Sequence, residues 1–214
     1  MVKTFRDRVE GGAELARQLE KYAGTDVVVL ALPRGGVPVG YEVARALRAP
    51  LDVVLVRKIG APGREELAVG ALASGGVRVL DHELIGHLGI TDAEVERIAA
   101  IEQAELRRRE LRYRRDRPLP TLDGHTVILV DDGLATGSSM RAAIRAVRQQ
   151  HPARVVATAP VGARLACEAL AREADEVICA SMPEPFYAVG SWYEDFAQTT
   201  DDEVEAWLRA AAGG

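Results

Sequence analysis

The sequence of 214 residues contains only two cysteines, Cys167 and Cys179. Two cysteines are too few for a disulfide framework, and their spacing is not that of metal ligands, so we interpret them as structural. No apolar run approaches the roughly 18 residues of a membrane-spanning helix. The first ten residues are charged and lack an apolar segment, which argues against a secretory signal. These absences favour a protein of a reducing cytoplasm that does not enter a membrane.

Asparagine is absent, and lysine occurs only three times beside 24 arginines. A low content of heat-labile amides is one trend of heat-adapted proteins, so a thermophilic source is one hypothesis. A GC-rich genome would produce the same preference for arginine, and both explanations stay open. The formal net charge of −5 gives no global reason to expect nucleic acid as a partner.

The most informative stretch runs from Val127 to Met140. Its first four residues are apolar and predict a strand buried on both faces, and a helical pattern of apolar residues starts at Met140. Between them lies a loop of acids, small residues and hydroxyl residues, Asp131–Ser139, which we call the signature loop. Backbone N–H groups of such a loop, together with the positive end of a helix dipole, bind phosphate. Because like charges repel, Asp131 and Asp132 would instead accept hydrogen bonds from sugar hydroxyls beside that phosphate.

This stretch resembles the signature of the type I phosphoribosyltransferases, which use phosphoribosyl pyrophosphate (PRPP). In that family a pair of acids follows an apolar strand, and a Thr/Gly-rich loop ends on Thr or Ser. The sequence departs from the pattern at Ala135, where many members carry Thr, so one side-chain donor to the phosphate is missing. The alternative is a loop of another open α/β protein, in which Asp132 only caps a helix.

Short apolar runs alternate with helical patterns along the chain, which predicts an α/β fold with an open, doubly wound, mainly parallel sheet flanked by helices. Val27–Leu32 and Leu51–Val56 are two further predicted strands with a helix between them. The first ends at the loop 33–38, and Lys58 lies just past the end of the second. Ligands of such sheets bind at the carboxyl ends of the strands, so we expect these residues to converge on the signature loop.

We divide the chain into an α/β core of residues 1–180 and a C-terminal hood, residues 181–214, that ends in a helix. The core includes an insertion at 61–120, which contains a predicted hairpin and a long predicted helix. Thr91 and Glu94 form the capping-box pattern that should start this helix.

Seven arginines lie between Arg107 and Arg117, towards the end of this long helix. One interpretation is a solvated helix face, and a second is a basic surface that neutralises nucleic-acid phosphates. A third follows from the resemblance, because the mobile loop that closes over PRPP in that family belongs at this point of the chain. The length and helical pattern of the segment depart from the short loop of the family.

The hood carries five of the ten aromatic residues between positions 183 and 196. In the family that this chain resembles, such a segment covers the acceptor base, so Phe186 or Tyr187 would stack on a flat acceptor. The alternative is that these rings seal the last helix to the core. Thr200 and Glu203 form a second capping-box pattern, which predicts the start of that helix.

The resemblance also implies roles for individual residues. The 5′-phosphate of PRPP would be bound by the loop residues Ala135, Thr136, Gly137, Ser138 and Ser139. Asp131 and Asp132 would be the catalytic residues, holding the ribose hydroxyls directly or through the shell of a Mg²⁺ ion, which is the implied cofactor. Arg34, Gly35 and Lys58 would bind pyrophosphate, and in the family a cis peptide is common at the position of Arg34–Gly35.

The expected function is therefore transfer of the 5-phosphoribosyl group of PRPP to a nitrogen acceptor such as a nucleobase, with release of pyrophosphate. The family is often dimeric, so a homodimer is a further expectation. The main alternative is a regulatory protein of the same fold that senses PRPP or a nucleotide without catalysis. A third possibility is an α/β hydrolase of nucleotides or sugar phosphates.

Overall fold

The computed structural model describes residues 4–114 and 120–213. Its helices are α1 (Arg8–Gln18), α2 (Gly36–Leu47), α3 (His82–Leu88), α4 (Asp92–Arg114), α5 (Ser138–Arg148), α6 (Arg164–Leu170) and α7 (Asp201–Ala212). Its strands are β1 (Val27–Ala31), β2 (Leu51–Val53), β3 (Val56–Ala61), β4 (Arg64–Ala73), β5 (Val77–Leu80), β6 (Thr126–Val130), β7 (Arg154–Val161) and β8 (Glu176–Ser181). Within the described ranges, no helix is both long and apolar enough to cross a membrane.

Five strands form a parallel sheet in the order β2-β1-β6-β7-β8. β1 is buried along its whole length, as expected for a continuous apolar run covered by helices on both faces. The chain passes from β1 to β2 on one side and later places β6 on the other side of β1, so the strand order reverses between β1 and β6. Such a switch point opens a crevice at the carboxyl ends of the two strands. The predicted open, mainly parallel α/β sheet is confirmed.

Helices cover both faces of this sheet. One hydrophobic cluster joins it to α1, α2 and α7 through residues that include Leu15, Val43, Val204 and Leu208. The second cluster joins the opposite face to α5 and α6 through residues that include Met140, Ala143, Ile144, Val147 and Leu170. The predicted inward-facing positions of the helix after the signature loop are therefore confirmed as buried.

A second, antiparallel sheet of β3, β4 and β5 follows the short strand β2. The predicted hairpin is confirmed as β4 and β5. The single strand predicted over Leu51–Val56 is wrong, because β2 ends at Val53 and Val56 begins β3 in the other sheet. A continuous apolar run does not mark the residue at which a chain leaves one sheet for another. As a result, Lys58 lies inside β3 and not past the end of a strand, as the sequence had indicated.

The insertion contains two helices, of which the sequence predicted only the second. The sequence does carry start and stop residues for α3, which are Asp81 and Gly89. The Asp81 carboxylate accepts a hydrogen bond from Leu84 N at 2.9 Å, and Gly89 ends the helix with a φ of 65°. The capping box of α4 is confirmed: Thr91 N donates to Glu94 Oε2 at 2.9 Å, and Glu94 N donates to Thr91 Oγ1 at 3.3 Å.

The arginine-rich part of α4 is tied to the rest of the protein by ion pairs. Residues 115–117 of the Arg107–Arg117 segment lie outside the described residues. Arg112 pairs with three acids of α7, which are Asp201 at 2.9 Å, Asp202 at 2.7 Å and Glu205 at 3.1 Å. The side chain of Arg114 is 6% exposed, and its Nε lies 3.1 Å from Asp52 Oδ1 of β2. The interpretation as a solvated helix face is therefore wrong for Arg114, because a β2 carboxylate offers it a buried partner.

The backbone at Phe5, before α1, pairs with the hood at residues 192–194. Phe5 N donates to Trp192 O at 2.9 Å, and Glu194 N donates to Phe5 O at 2.8 Å. The capping box of Thr200 and Glu203 at the start of α7 is confirmed, with both reciprocal hydrogen bonds present. The hood is thus attached to the segment that precedes α1.

We predict that Arg114→Met lowers the free energy of unfolding by about 3–5 kcal/mol, because it leaves the buried Asp52 carboxylate without its cation. Urea titration followed by circular dichroism measures this loss. The matched control is Arg108→Met on the same helix, where an exposed pair with Glu105 is removed. The control should cost less than about 1 kcal/mol. Equal losses in the two variants would contradict the structural role of the buried pair.

Candidate functional site

The signature loop leaves the end of β6 at the switch point and leads directly into α5. Gly137 is the residue before α5 and has a φ of 72°, a left-handed conformation that favours glycine. Thr136 Oγ1 and Ser138 Oγ lie 3.1 Å apart, so two hydroxyls stand together at the start of the helix. The loop therefore presents hydroxyl donors at the same place as the first N–H groups of a helix, which have no acceptor within the helix, and this arrangement suits a phosphate.

Asp131 and Asp132 lie where the sequence predicted them, at the carboxyl end of β6. Asp132 N donates a hydrogen bond to Asp131 Oδ1 at 2.8 Å. Burial raises the pKa of Asp131 well above its usual range, and the adjacent Asp132 carboxylate raises it further. Burial also raises the pKa of Asp132, while Arg8 acts in the opposite direction. Because burial disfavours the charged form of both acids, ligands that bring hydroxyl donors or a cation would stabilise their carboxylates.

Asp132 is held by a group of residues that the sequence analysis missed. Arg8 of α1 donates from Nε to Asp132 Oδ2 at 2.9 Å and from Nη1 to Ala197 O at 2.8 Å. The guanidinium lies 4.0 Å from the centre of the Phe196 ring, a cation–π geometry. Tyr193 donates its hydroxyl to Asp132 O at 2.6 Å. No local pattern indicates these contacts, since 124 residues separate Arg8 from Asp132.

The loop between β1 and α2 packs directly against Asp132. The peptide bond between Pro33 and Arg34 is cis, one bond before the position at which the resemblance led us to expect one. A Cβ atom at Gly35 would overlap the carboxylate of Asp132, and one at Gly36 would lie 2.6 Å from Val130 O. Only glycine at position 35 lets the two strand-end loops meet. The predicted convergence of these loops is therefore present.

Arg34 of the same loop pairs with an acid of α7. Its Nη1 lies 3.8 Å from Asp201 Oδ1 at the start of α7, where Tyr113 and Arg112 also bind. The pKa of Asp201 is lowered, first by the hydrogen bond from Tyr113 and then by the surrounding arginines. The structure thus links the loop after β1 to the first turn of α7.

A cavity of about 100 Å³ lies between the two strand-end loops and α4. Its lining includes Asp131 and Ser139 of the signature loop and Pro33 of the other loop. Arg57 of β3, which the sequence analysis did not select, and Arg109 of the arginine-rich segment of α4 also line it. Arg57 binds Glu102 of α4, with Nε 2.5 Å from Oε2.

Lys58 lines a different cavity, of about 220 Å³, between the antiparallel sheet and α5. It shares this cavity with Ser138, Arg141 and Arg145, and both arginines pair with Glu173, at 2.9 and 2.8 Å. Successive side chains of a strand point to opposite faces, which explains why Arg57 and Lys58 enter separate cavities. Arg34 is not among the described residues that line either cavity.

Phe186 and Tyr187, the two aromatic residues expected to stack on an acceptor, lie in the hood. Phe186 packs against Trp192, with ring centroids 6.5 Å apart, in a cluster that also contains Phe5 and Tyr193. Tyr187 is 83% exposed. Neither is among the described residues that line the two cavities. Contact with an acceptor stays a prediction for both residues. Packing within the hood already explains the position of the Phe186 ring.

The donor set at the end of β6 fits a magnesium ion that arrives with a substrate. Within the described residues, no group of three or more His, Cys, Asp or Glu side chains is placed to hold a metal by itself. Mg²⁺ is commonly bound through one or two carboxylates together with substrate phosphates and water. Asp131 and Asp132 offer such carboxylate oxygens, and a divalent cation would offset the cost of ionising them where they are buried.

Comparison with known proteins gives consistent matches. The family model described as phosphoribosyl transferase domain matches residues 2–190. Two proteins of Mycobacterium tuberculosis, from two strains and both provisionally named phosphoribosyl transferase, are 44% identical over 210 residues. This covers 98% of the chain but 47% of each relative, so the chain spans about half the length of the curated relatives it matches. The crystal structure of the protein TT1426 from Thermus thermophilus is 49% identical with a TM-score of 0.87, covering 96% of this chain and 97% of that chain.

We predict that Arg8→Met makes the stability of the protein more sensitive to pH. A buried acid with a raised pKa costs stability as the pH rises from its unfolded value, about 3.9, through its folded value. Because Arg8 lowers the pKa of Asp132, the variant should raise this pKa further. The melting temperature should fall by about 5 °C near pH 7.5 and by less near pH 5.

Thermal melts over this pH range test the prediction. The matched control is Arg17→Met on α1, which removes an exposed pair with Glu14. In the background Asp132→Asn, where only Asp131 still titrates near Arg8, the shift caused by Arg8→Met should depend less on pH. A shift for Arg8→Met alone that is independent of pH would show that Arg8 contributes packing only.

Proposed function

The chain belongs to the phosphoribosyl transferase family, and on this premise we propose that it transfers the 5-phosphoribosyl group of PRPP to a nitrogen acceptor, with a nucleobase as the first candidate. Pyrophosphate is the leaving group. The observation that carries the proposal is the meeting of the signature loop, the two acids and the Gly35 loop at the β1/β6 switch point. This arrangement offers a phosphate site and a hydroxyl-binding site within one crevice.

In this proposal the signature loop binds the 5′-phosphate. The N–H groups of its last residues and of the first turn of α5 donate to the phosphate oxygens, with help from the helix dipole. Thr136 and Ser138 already share a contact at 3.1 Å and supply hydroxyl donors, as does Ser139. Ala135 contributes only its backbone N–H, and Gly137 allows the turn that aims these groups inward.

Asp131 and Asp132 then hold the ribose ring. Each carboxylate accepts hydrogen bonds from the ribose hydroxyls, and together they offer oxygen ligands to Mg²⁺. The cation, when bound, neutralises charge on the departing pyrophosphate. Arg8 keeps the Asp132 side chain fixed, so that the acid needs little reorganisation as positive charge develops at the ribosyl carbon.

Pyrophosphate would lie beside the β1–α2 loop, whose backbone at Gly35 contacts the Asp132 carboxylate. We assign Arg57 to this side, because it shares a cavity with Pro33 and Asp131. Lys58 is assigned to the 5′-phosphate side, because it shares a cavity with Ser138. Arg34 would join the pyrophosphate site through a change of its side-chain rotamer away from Asp201, to which it is bound at 3.8 Å.

The proposal predicts that Asp131→Asn and Asp132→Asn each lower turnover on the order of 100- to 1,000-fold while the fold is retained, because charge stabilisation at the ribosyl centre is lost. Release of pyrophosphate from PRPP and Mg²⁺, across a panel of nucleobases and amines, is the measurement. Asp26→Asn is the matched control, since Asp26 is exposed at the opposite end of β1 and should leave turnover unchanged.

The same assay separates the other candidate functions. Binding of PRPP by calorimetry without pyrophosphate release for any acceptor would favour the sensing protein and contradict catalysis. Release of inorganic phosphate without an acceptor would favour the hydrolase. Normal turnover in both asparagine variants would contradict the role of the acids.

The neighbouring side chains of Arg57 and Lys58 in β3 provide a matched test of how PRPP is oriented in the site. We predict that Arg57→Met weakens binding of inorganic pyrophosphate about tenfold, and that Lys58→Met weakens binding of ribose 5-phosphate by a similar factor. Each variant should leave the affinity for the other ligand nearly unchanged. Calorimetric titrations of both variants measure these affinities, and the reverse pattern would place the two ends of PRPP the other way round.

A further inference from the structure

The two cysteines come together in the fold, although the sequence gives them no recognisable spacing. Cys167 lies in α6 and Cys179 in β8, and their Sγ atoms are 2.9 Å apart. Both are free thiols. A disulfide bond has an S–S distance of about 2.05 Å, so a small movement of the side chains would join them.

Gly162, just past β7, makes this meeting possible. A Cβ atom at this position would lie 2.7 Å from Cys167 Sγ and 2.9 Å from Cys179 Sγ. Any larger residue would therefore push the sulfurs apart or out of position. Cys167 is 6% exposed, Cys179 is half-buried, and Leu165 of the same helix as Cys167 is 80% exposed, so the pair lies just beneath the surface.

The hydrogen bond between the two sulfurs distinguishes the thiols. It lowers the pKa of Cys167, while burial of that thiol acts in the opposite direction. The same hydrogen bond, together with burial, raises the pKa of Cys179. These directions assign Cys167 as the first attacking thiol and Cys179 as the second.

We propose that Cys167 and Cys179 form a redox-active dithiol that low-molecular-weight disulfides convert into an intramolecular disulfide. The Cys167 thiolate attacks one sulfur of the oxidant, which forms a mixed disulfide and expels one thiolate. Cys179 then loses its proton and attacks Cys167 Sγ, which forms the protein disulfide and expels the second thiolate. The protein loses two electrons and two protons, and the oxidant is reduced to two thiols.

The dithiol lies directly behind the signature loop. Leu134 N donates to Val161 O at 2.9 Å, and Ala163 N donates to Leu134 O at 2.8 Å, so the loop is paired with the residues on both sides of Gly162. Closing the disulfide would link α6 to β8 at this point. The chemistry of the pair does not depend on what the loop binds, so its test stands apart from the proposed function.

The test is reaction of the native, reduced protein with dithiobis(nitrobenzoic acid), an aromatic disulfide, followed by intact-mass analysis. We expect the protein to release two equivalents of thionitrobenzoate and to lose two hydrogen atoms without keeping an adduct. Cys179→Ser should release one equivalent and keep one thionitrobenzoate group on Cys167. Gly162→Ala should slow closure, so that the mixed disulfide accumulates.

Stability gives a second readout. The oxidised protein should melt about 5 °C or more above the reduced one, because the new ring restricts the unfolded chain. The variant with serine at both cysteine positions should not change on exposure to the oxidant. Wild-type protein that keeps an adduct on each cysteine, or that reacts only after unfolding, would overturn the proposal.

Discussion

The contact between Gly35 and the carboxylate of Asp132 is the constraint on which the rest of the site depends. It joins the loop after β1 to the loop after β6, and no side chain larger than hydrogen fits at position 35. The parallel pairing of β1 with β6 brings the two loops to the same edge of the sheet. At Gly36 the backbone also lies close to Val130 O, where a Cβ atom would not fit. A ligand in this crevice therefore meets two backbone loops and two acids at once, without any movement of the sheet.

Bringing an acid this close to another loop has an electrostatic cost, which Arg8 offsets. Burial raises the pKa of both acids, and Arg8 is the cation that opposes this for Asp132. Arg8 is in turn held by the Phe196 ring and Ala197 O of the hood. The segment around Phe5 and Arg8 is therefore joined to the hood at residues 192–197. The hood orients an acid of the site through Arg8 and Tyr193, in addition to any contact it makes with an acceptor.

The sequence predicted features that are encoded locally and missed those that depend on tertiary contacts. The strand, acids and helix around the signature loop follow from an apolar run, small residues and helical spacing within 22 positions, residues 127–148. Both capping boxes are four-residue patterns and were predicted correctly. By contrast, the break at Val54 and Leu55 leaves no mark in a continuous apolar run, and it displaced Lys58 from its expected place. Arg8 and Arg57 were missed because only the fold brings them to the acids.

The charges of the arginine-rich helix α4 are better understood from the fold than from composition. A basic segment suggests nucleic acid when its charges are free, but four described arginines of α4 have internal partners: Arg108 and Arg109 bind Glu105, Arg112 binds three acids of α7, and Arg114 is buried against Asp52. Much of this positive charge is therefore matched within the protein. Arg109 also lines the cavity beside the crevice, one turn before Tyr113, which is anchored to Asp201. A long helix fixed to β2 and α7 thus forms one wall of this cavity. Arg114 ties the end of this helix to Asp52, so moving that end would break a buried ion pair.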